Sequence, residues 1–226
     1  MAAGSAPPTL PPPPRLRWRV GLPVAAALTL IALVLLAEGS RGPTLVGLLV
    51  AYLIPPLSKE TVLPLALLQG LPPARVAAYF TATDLILAAF VAWNWEALYR
   101  LPRAGPWLER QEARVTAATQ SWRAAEGLGL LAVALWMAVP FIGSGAATAS
   151  LLGRALGERP LPVFLAVAAG AVVLNFGYAF FAGALYEVAG ALGLVLAVMT
   201  FLLVGGLLAY ALRYRGGKSQ QRTGRR

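Results

Sequence analysis

The sequence predicts an all-α polytopic membrane protein, with about four full transmembrane helices plus two opposed re-entrant helical hairpins in an inverted repeat. Its 226 residues are 58% hydrophobic and only 12% charged, with a mean hydropathy of +0.69, which is the composition of a chain that lives in lipid. Two long apolar stretches are broken near their middles, at IPPLSKETVLPLA (Ile54 to Ala66) and at PFIGSGAATAS (Pro140 to Ser150). The basic residues gather on the segments that such a plan places on one side of the bilayer, as cytoplasmic loops require.

Residues 1 to 14 carry six prolines and nothing able to pack, so residues 1–19 read as a Pro-rich and basic tail. Val20 to Ala37 is an apolar run behind Arg15, Arg17 and Arg19. A cleaved signal is the alternative, but the length suits a retained span and further membrane segments follow. Thr44 to Gly70 is interrupted by Pro55 and Pro56. Each arm is about 11 residues, a helical rise of about 16 Å, half of a hydrocarbon core of about 30 Å. A hairpin that turns back at Leu57 to Thr61 is therefore expected. Gly127 to Gly157 repeats the plan, with its turn at Gly143 to Gly145. A proline turn and a long span follow each hairpin, Arg75 to Leu98 and Leu161 to Leu185. A last span, Leu192 to Leu212, leads into the basic residues of the 214–226 tail. The membrane domain is thus 20–213, with repeat units 44–98 and 127–185.

Charge tests this topology. With both hairpins turning back, the 99–126 connection, which holds five Arg against three Glu, lies in the cytoplasm together with both termini. With both hairpins crossing, it would lie outside, against the positive-inside rule. The two units are then inverted relative to each other, an architecture of secondary transporters, where broken helices survive at depth because they line a cavity or are buried in protein. Trp107, Leu108, Val115 and Trp122 share a helical stripe and suggest an interfacial amphipathic helix in the connection, and Trp93, Trp95 and Tyr99 mark the interface.

There is no Cys and no His, which excludes disulfides, thiolate metal sites and the usual base near neutral pH. No metal or cofactor is expected. The net charge of +10 is explained by membrane flanks, and nucleic-acid binding is not expected because no aromatic residues interleave with the basic tail. Candidate binding residues are those that lipid would reject without a reason. Lys59 and Glu60, with Ser58, sit at the first tip and read either as a substrate or proton site or as headgroup anchors. Asp84 lies about 15 Å into its span, near mid-membrane, and reads as an ionisable site or as a bundle contact satisfied by Thr81, Thr83 or Lys59. Asn175 is its uncharged counterpart and suits a packing hydrogen bond. The tip Gly143, Ser144, Gly145, with Thr148 and Ser150 beyond it, offers backbone N–H groups and hydroxyls to an anion, or close packing by small residues. Arg154 can pair with a phosphate. Ser144 with Lys59 as a hydrolytic dyad is set aside, since no spacing brings them together, and no enzyme activity is expected.

Three stretches, PPLSKETVLPLALLQG, TDLILAAFVAWNWEALYRLPRAGPWLERQEAR and PFIGSGAATASLLGRALG, occur in an order and spacing that resembles the putative small multi-drug export proteins, a family of prokaryotic membrane proteins. The resemblance covers about residues 44–185. Many members of that family have a tip resembling ELRGAIP where this chain has SKETVLP at Ser58 to Pro64. The hairpin-plus-span plan and the Gly153–Arg154 pair also look like DedA-type lipid transporters. The resemblance implies a small-molecule exporter in the prokaryotic plasma membrane, and the reading of the residues adds the expectation of a midplane site formed by both tips and the span carrying Asp84. Glu60 and Asp84 would handle protons or a cationic solute. The alternatives are a flippase for anionic lipid carriers, resting on Lys59, Arg154 and the GSG tip, and a membrane assembly subunit without transport. Partners are accordingly a small-molecule or lipid substrate and membrane lipids, and a homodimer is compatible with the size.

Overall fold

The computed structural model describes residues 16–54, 58–99, 129–137 and 145–223, together with Gly105 and Arg110. Described residues are helical apart from short turns, and no strand occurs among them. The expected amphipathic connection, the GSG tip at Gly143 and Ser144, and the Pro55–Pro56 break lie outside the described residues.

Helix α1 (Leu16–Glu38) ends at a short 3-10 turn, Gly39–Arg41, and α2 (Gly42–Tyr52) turns back onto it. Next come α3 (Lys59–Leu67) and the long α4 (Pro73–Tyr99). The second half begins with two short helices, α5 (Gly129–Trp136) and α6 (Ala146–Ala155), and finishes with α7 (Pro160–Thr223). Among the described residues, three segments are long and apolar enough to cross a membrane: Trp18–Tyr52, Pro73–Trp95 and Pro160–Val204. The four short helices have 11, 9, 8 and 10 residues, which at 1.5 Å per residue is about half of a crossing or less.

Helix α7 is not one rod. Gly190, at φ 58° and ψ −140°, breaks it, a backbone region that residues with a Cβ essentially do not enter. The later arm folds back on the earlier one, so that the rings of Tyr178 and Phe201 meet at 4.6 Å. The expected gap between Leu185 and Leu192 is therefore a real reversal, centred on the one glycine whose torsions demand it.

Helix α4 lies at the centre, packed against α1, α6 and α7. It runs antiparallel to α1, and polar contacts hold both ends. At one end Glu38 accepts from the Tyr79 hydroxyl at 2.6 Å and pairs with Arg75 at 3.3 Å. At the other, Asn94 Nδ2 donates to the Arg19 carbonyl at 2.9 Å, Arg19 donates to the Trp93 carbonyl, and Trp93 stacks on Phe164 at the start of α7.

Two large apolar cores make up most of the described interior, with a small third cluster around Val91 and Leu151. One apolar core gathers Leu45 and Leu49 of α2, Val62, Leu63, Ala66 and Leu67 of α3, Val76, Ala77 and Phe80 of α4, and Tyr178, Ala179 and Ala182 of α7. The other gathers Ala88 and Ala92 of α4, Val133 and Met137, Ala149 and Leu152 of α6, and Val163, Val167 and Ala171 of α7. On α4 the stretch between the two cores holds Thr81 and Asp84, and on α7 it holds Asn175. Outward, large apolar side chains such as Leu36 and Val188 are more than four-fifths exposed, a surface that water would penalise and lipid accepts.

Candidate functional site

Between the two apolar cores lies a layer of buried polar groups: Lys59, Glu60, Thr81, Asp84 and Asn175, with Tyr52 above them. Each reaches this level because a helix begins, ends or passes there. Tyr52 is the last residue of α2, and Lys59 and Glu60 are the first two of α3. Asp84 and Asn175 project from the middles of α4 and of the first arm of α7, and Ala146 opens α6.

Asp84 is fully satisfied. The Tyr52 hydroxyl donates to Oδ1 at 2.5 Å, Asn175 Nδ2 donates to Oδ2 at 2.9 Å, and the backbone N–H of Ala146 adds a third bond. The last bond sets a carboxylate against the first turn of α6, where unpaired N–H groups and the helix dipole favour negative charge. Gly145, the residue before that turn, is extended and offers no side-chain cap. A Cβ there would stand 3.4 Å from the Tyr52 oxygen, and Asp84 supplies the cap that a glycine at this position cannot. Of the partners expected for Asp84, Thr81 is joined through Asn175 at 3.3 Å. Thr83 instead donates to the Tyr79 carbonyl.

Lys59 makes the reciprocal contact. Its ammonium donates to the Met137 carbonyl at 2.9 Å, at the end of α5, where exposed carbonyls attract cations. It also lies within electrostatic reach of Asp84 and Glu60. The first and second broken helices are thus joined at their inner ends by one acid and one base.

Glu60 behaves differently from Asp84. It is completely buried, and neither carboxylate oxygen has a hydrogen-bond partner among the described residues. Its backbone carbonyl receives the Tyr178 hydroxyl at 2.9 Å. The cause is local: Pro64, four residues on, lacks the N–H that would close this turn of α3, and Tyr178 fills the vacancy. Pro64 therefore ties the tip of α3 to α7.

Lys59, Glu60, Asp84, Gly145 and Asn175 converge. Ser58 lies beside them as the residue before α3, its carbonyl accepting from Thr61 and Val62. Arg154 does not join them. Its guanidinium donates to the Glu158 carbonyl at 2.6 Å, at the far end of α6, so the two bases a phosphate-binding reading would combine are separated by the length of that helix. Ser150 is buried without a hydrogen-bond partner among the described residues. Sequence reading missed Tyr52 and Tyr178 as site residues. Their signal was a phenolic hydroxyl deep in an apolar run, far from an interface, where it needs a partner.

An apolar groove of about 230 Å³ opens beside this layer between α1, α2 and α4, bounded by Leu30, Val46, Leu49, Leu53 and Phe90. Thr83, next to Asp84 in sequence, is the one polar residue in its lining. Among the described residues no group of acids could hold a metal ion.

Comparison with curated proteins and with solved structures returned no match, and the likeness to DedA-type proteins finds no support. A family model, described as putative small multi-drug export protein, matches residues 60–176. Its bounds run from Glu60 to the residue after Asn175 and so enclose most of the buried polar layer. On this match, which covers just over half of the sequence, the chain belongs to the putative small multi-drug export protein family.

Proposed function

We propose that the chain is an exporter of small molecules whose transport site is the buried polar layer, reached alternately from the two sides of the membrane. The observation that carries this reading is the placement of Lys59, Glu60, Asp84 and Asn175 between two apolar cores, where four short helices end. Ionisable groups held in a membrane interior mark substrate or ion pathways far more often than they mark packing.

In this reading α2–α3 and α5–α6 are re-entrant hairpins that enter from opposite faces, and units 44–98 and 127–185 form an inverted repeat. Support comes from the outer ends of the helices. The start of α2 and the end of α3 lie with Glu38 and Arg75: a Cβ on Gly70 would approach Arg41 at 3.9 Å, and Pro73 abuts Gly183. The start of α5 and the end of α6 lie at the opposite end, where Gly129 neighbours Glu158. The end that carries Arg19, Arg154 and Arg159 faces the cytoplasm by the positive-inside rule, as do both termini. The 1–19 and 214–226 tails flank a single 20–213 membrane domain.

The inner contacts supply a two-state element. Asp84 on the α6 start and Lys59 on the α5 end join the hairpins, and a solute that competes for either would loosen them and shift the equilibrium between the two openings. A single cysteine at Ser58 in this cysteine-free chain tests the reading. Membrane-impermeant thiol reagents should label it in native membranes, from one or both faces, because a transport site needs a water path. A Ser58 cysteine that is sealed from both faces overturns it.

A further inference from the structure

The apolar groove between α1, α2 and α4 is framed by specific contacts. Every residue that lines it except Leu53 belongs to the two membrane-crossing segments Trp18–Tyr52 and Pro73–Trp95, so whatever fills it comes from the hydrocarbon phase. Pro23 and Phe90 line the end nearest Arg19. Pro23 lacks the N–H that would bond the Arg19 carbonyl four residues back. Asn94 Nδ2 takes that place at 2.9 Å and also donates to the Phe90 carbonyl at 2.8 Å, with Asn94 itself out of helical torsion at φ −112° and ψ 16°. One buried side chain thus ties the two walls together at that end. At the other end Leu30, Val46 and Leu49 pack into the first apolar core. The groove is therefore closed along the membrane normal and opens sideways, past Val24, Val50 and Leu53, each about half exposed.

Size and chemistry select the occupant. An apolar cavity of about 150 Å³ holds one benzene ring, and the groove measures about 230 Å³, which is room for a compact body of roughly one to two rings. A helix of another chain, about 10 Å across, would not enter it, and a lipid acyl chain running along the normal meets both closed ends. No charged side chain lines the groove, so a charged group would find no partner in it. Its inner wall is the turn of α2 and the turn of α4 that carry the polar layer: Leu49 and Leu53 flank Tyr52, and Thr83 precedes Asp84. The hydrogen bond from Tyr52 to Asp84, at 2.5 Å, is the partition between the two.

We propose that this groove is the entrance to the transport site for uncharged lipophilic molecules: it takes their compact hydrocarbon part sideways from the bilayer, and displacement of Tyr52 from Asp84 admits them to the polar layer. This rests on the transporter reading above and adds the substrate class and the route of entry.

Adamantyl diazirine, an uncharged hydrocarbon cage that inserts into its neighbours on illumination, provides the test on the full-length chain in phosphatidylcholine vesicles, with adducts located by mass spectrometry. Insertion at Val46, Leu49 and Ile86 should saturate and be lost when excess adamantane competes, whereas insertion at Leu28, Val173 and Leu203 of the exposed belt should rise in proportion to the probe. Ala27→Phe fills the groove from α1 and should abolish the saturable labelling, while Ala25→Phe, on the exposed side of the same helix, should keep it. The competition in the wild-type chain decides the matter even where Ala27→Phe does not fold. In a Ser58→Cys chain, adamantane should change the rate of labelling by a water-soluble thiol reagent over the same concentration range, because entry disturbs the Tyr52–Asp84 partition. Groove labelling that never saturates, a Ser58→Cys rate indifferent to adamantane, or groove labelling by an acyl-chain diazirine lipid that adamantane does not displace would each overturn the proposal. If Ser58→Cys is nevertheless reached from water, only the lateral entrance is lost and the transporter reading stands; a Ser58→Cys chain sealed from both faces removes the transporter reading itself and the entrance with it.

Discussion

Tyr52 carries the shortest hydrogen bond of the polar layer, 2.5 Å to Asp84, and its ring packs on Phe80 at 5.5 Å. Tyr52→Phe keeps the ring and deletes only the donor, leaving a buried carboxylate one bond short. We predict a loss of about 1–3 kcal/mol, read as earlier thermal unfolding in detergent, and an unchanged midpoint would show that the hydroxyl contributes nothing. Lys59 and Asp84 lie within electrostatic reach of each other even though their hydrogen bonds go to different helices. Removing the ammonium with Lys59→Met leaves two buried acids without a cation and should destabilise by about 3–5 kcal/mol. Adding Asp84→Asn removes one of those acids, so the double variant should lose less than the sum of the single losses. Additive losses in that cycle would mean that the two charges do not communicate.

At the level of elements, the short helices depend on close approach. A Cβ on Gly153 of α6 would fall 2.6 Å from a Val163 methyl of α7, well inside contact distance. Gly153→Ala should therefore cost about 1–3 kcal/mol by overpacking, and Val163→Ala in the same chain should return part of that loss. If the second substitution deepens the defect instead, the clash is not where the helices meet. The reversal of α7 makes the same kind of demand on torsion rather than on space. Nothing stands within 4 Å of a Cβ on Gly190, so any cost of Gly190→Ala is conformational. It is expected at about 1–3 kcal/mol, and a variant as stable as wild type would argue for a relaxed turn.

For the whole molecule, the polar contacts at the two ends of α1 and α4 and the two apolar cores define an axis with the ionisable layer halfway along it. The proposed topology makes a simple demand on that axis. Single cysteines at Gln69, at the outer end of α3, and at Arg159, beyond the outer end of α6, should be labelled by impermeant reagents from opposite faces, with Arg159 on the cytoplasmic side. Labelling of both from the same face would exclude opposed hairpins, whatever the chemistry of the layer. The exposed apolar belt is also a whole-molecule property: residues such as Leu22, Leu28, Val173 and Leu203 are mostly exposed, and that much bare hydrocarbon is stable only in lipid or detergent.

Much was legible along the chain. Prolines and glycines announce themselves locally, so the break after Tyr52, the turn before α4 and the reversal near Gly190 follow from residues that cannot continue a helix. Charge in an apolar run is equally conspicuous, which is why Lys59, Glu60, Asp84 and Asn175 stood out as site candidates before any contact was known. What sequence could not assign was their division of labour. Glu60 and Asp84 both read as ionisable positions, yet folding gives Asp84 three donors and makes it a helix cap, while the Glu60 carboxylate has no hydrogen-bond partner among the described residues. The physical reason is that a hydrogen bond within a helix is decided by residues four apart, whereas the partners of a buried carboxylate come from other helices. Tyr52 and Asp84 are separated by 32 positions, Asp84 and Asn175 by 91, and Glu60 and Tyr178 by 118. Sequence alone determined a membrane-embedded helical chain with polar groups in its apolar runs, and only tertiary packing decided which of those groups is already satisfied and which is still open.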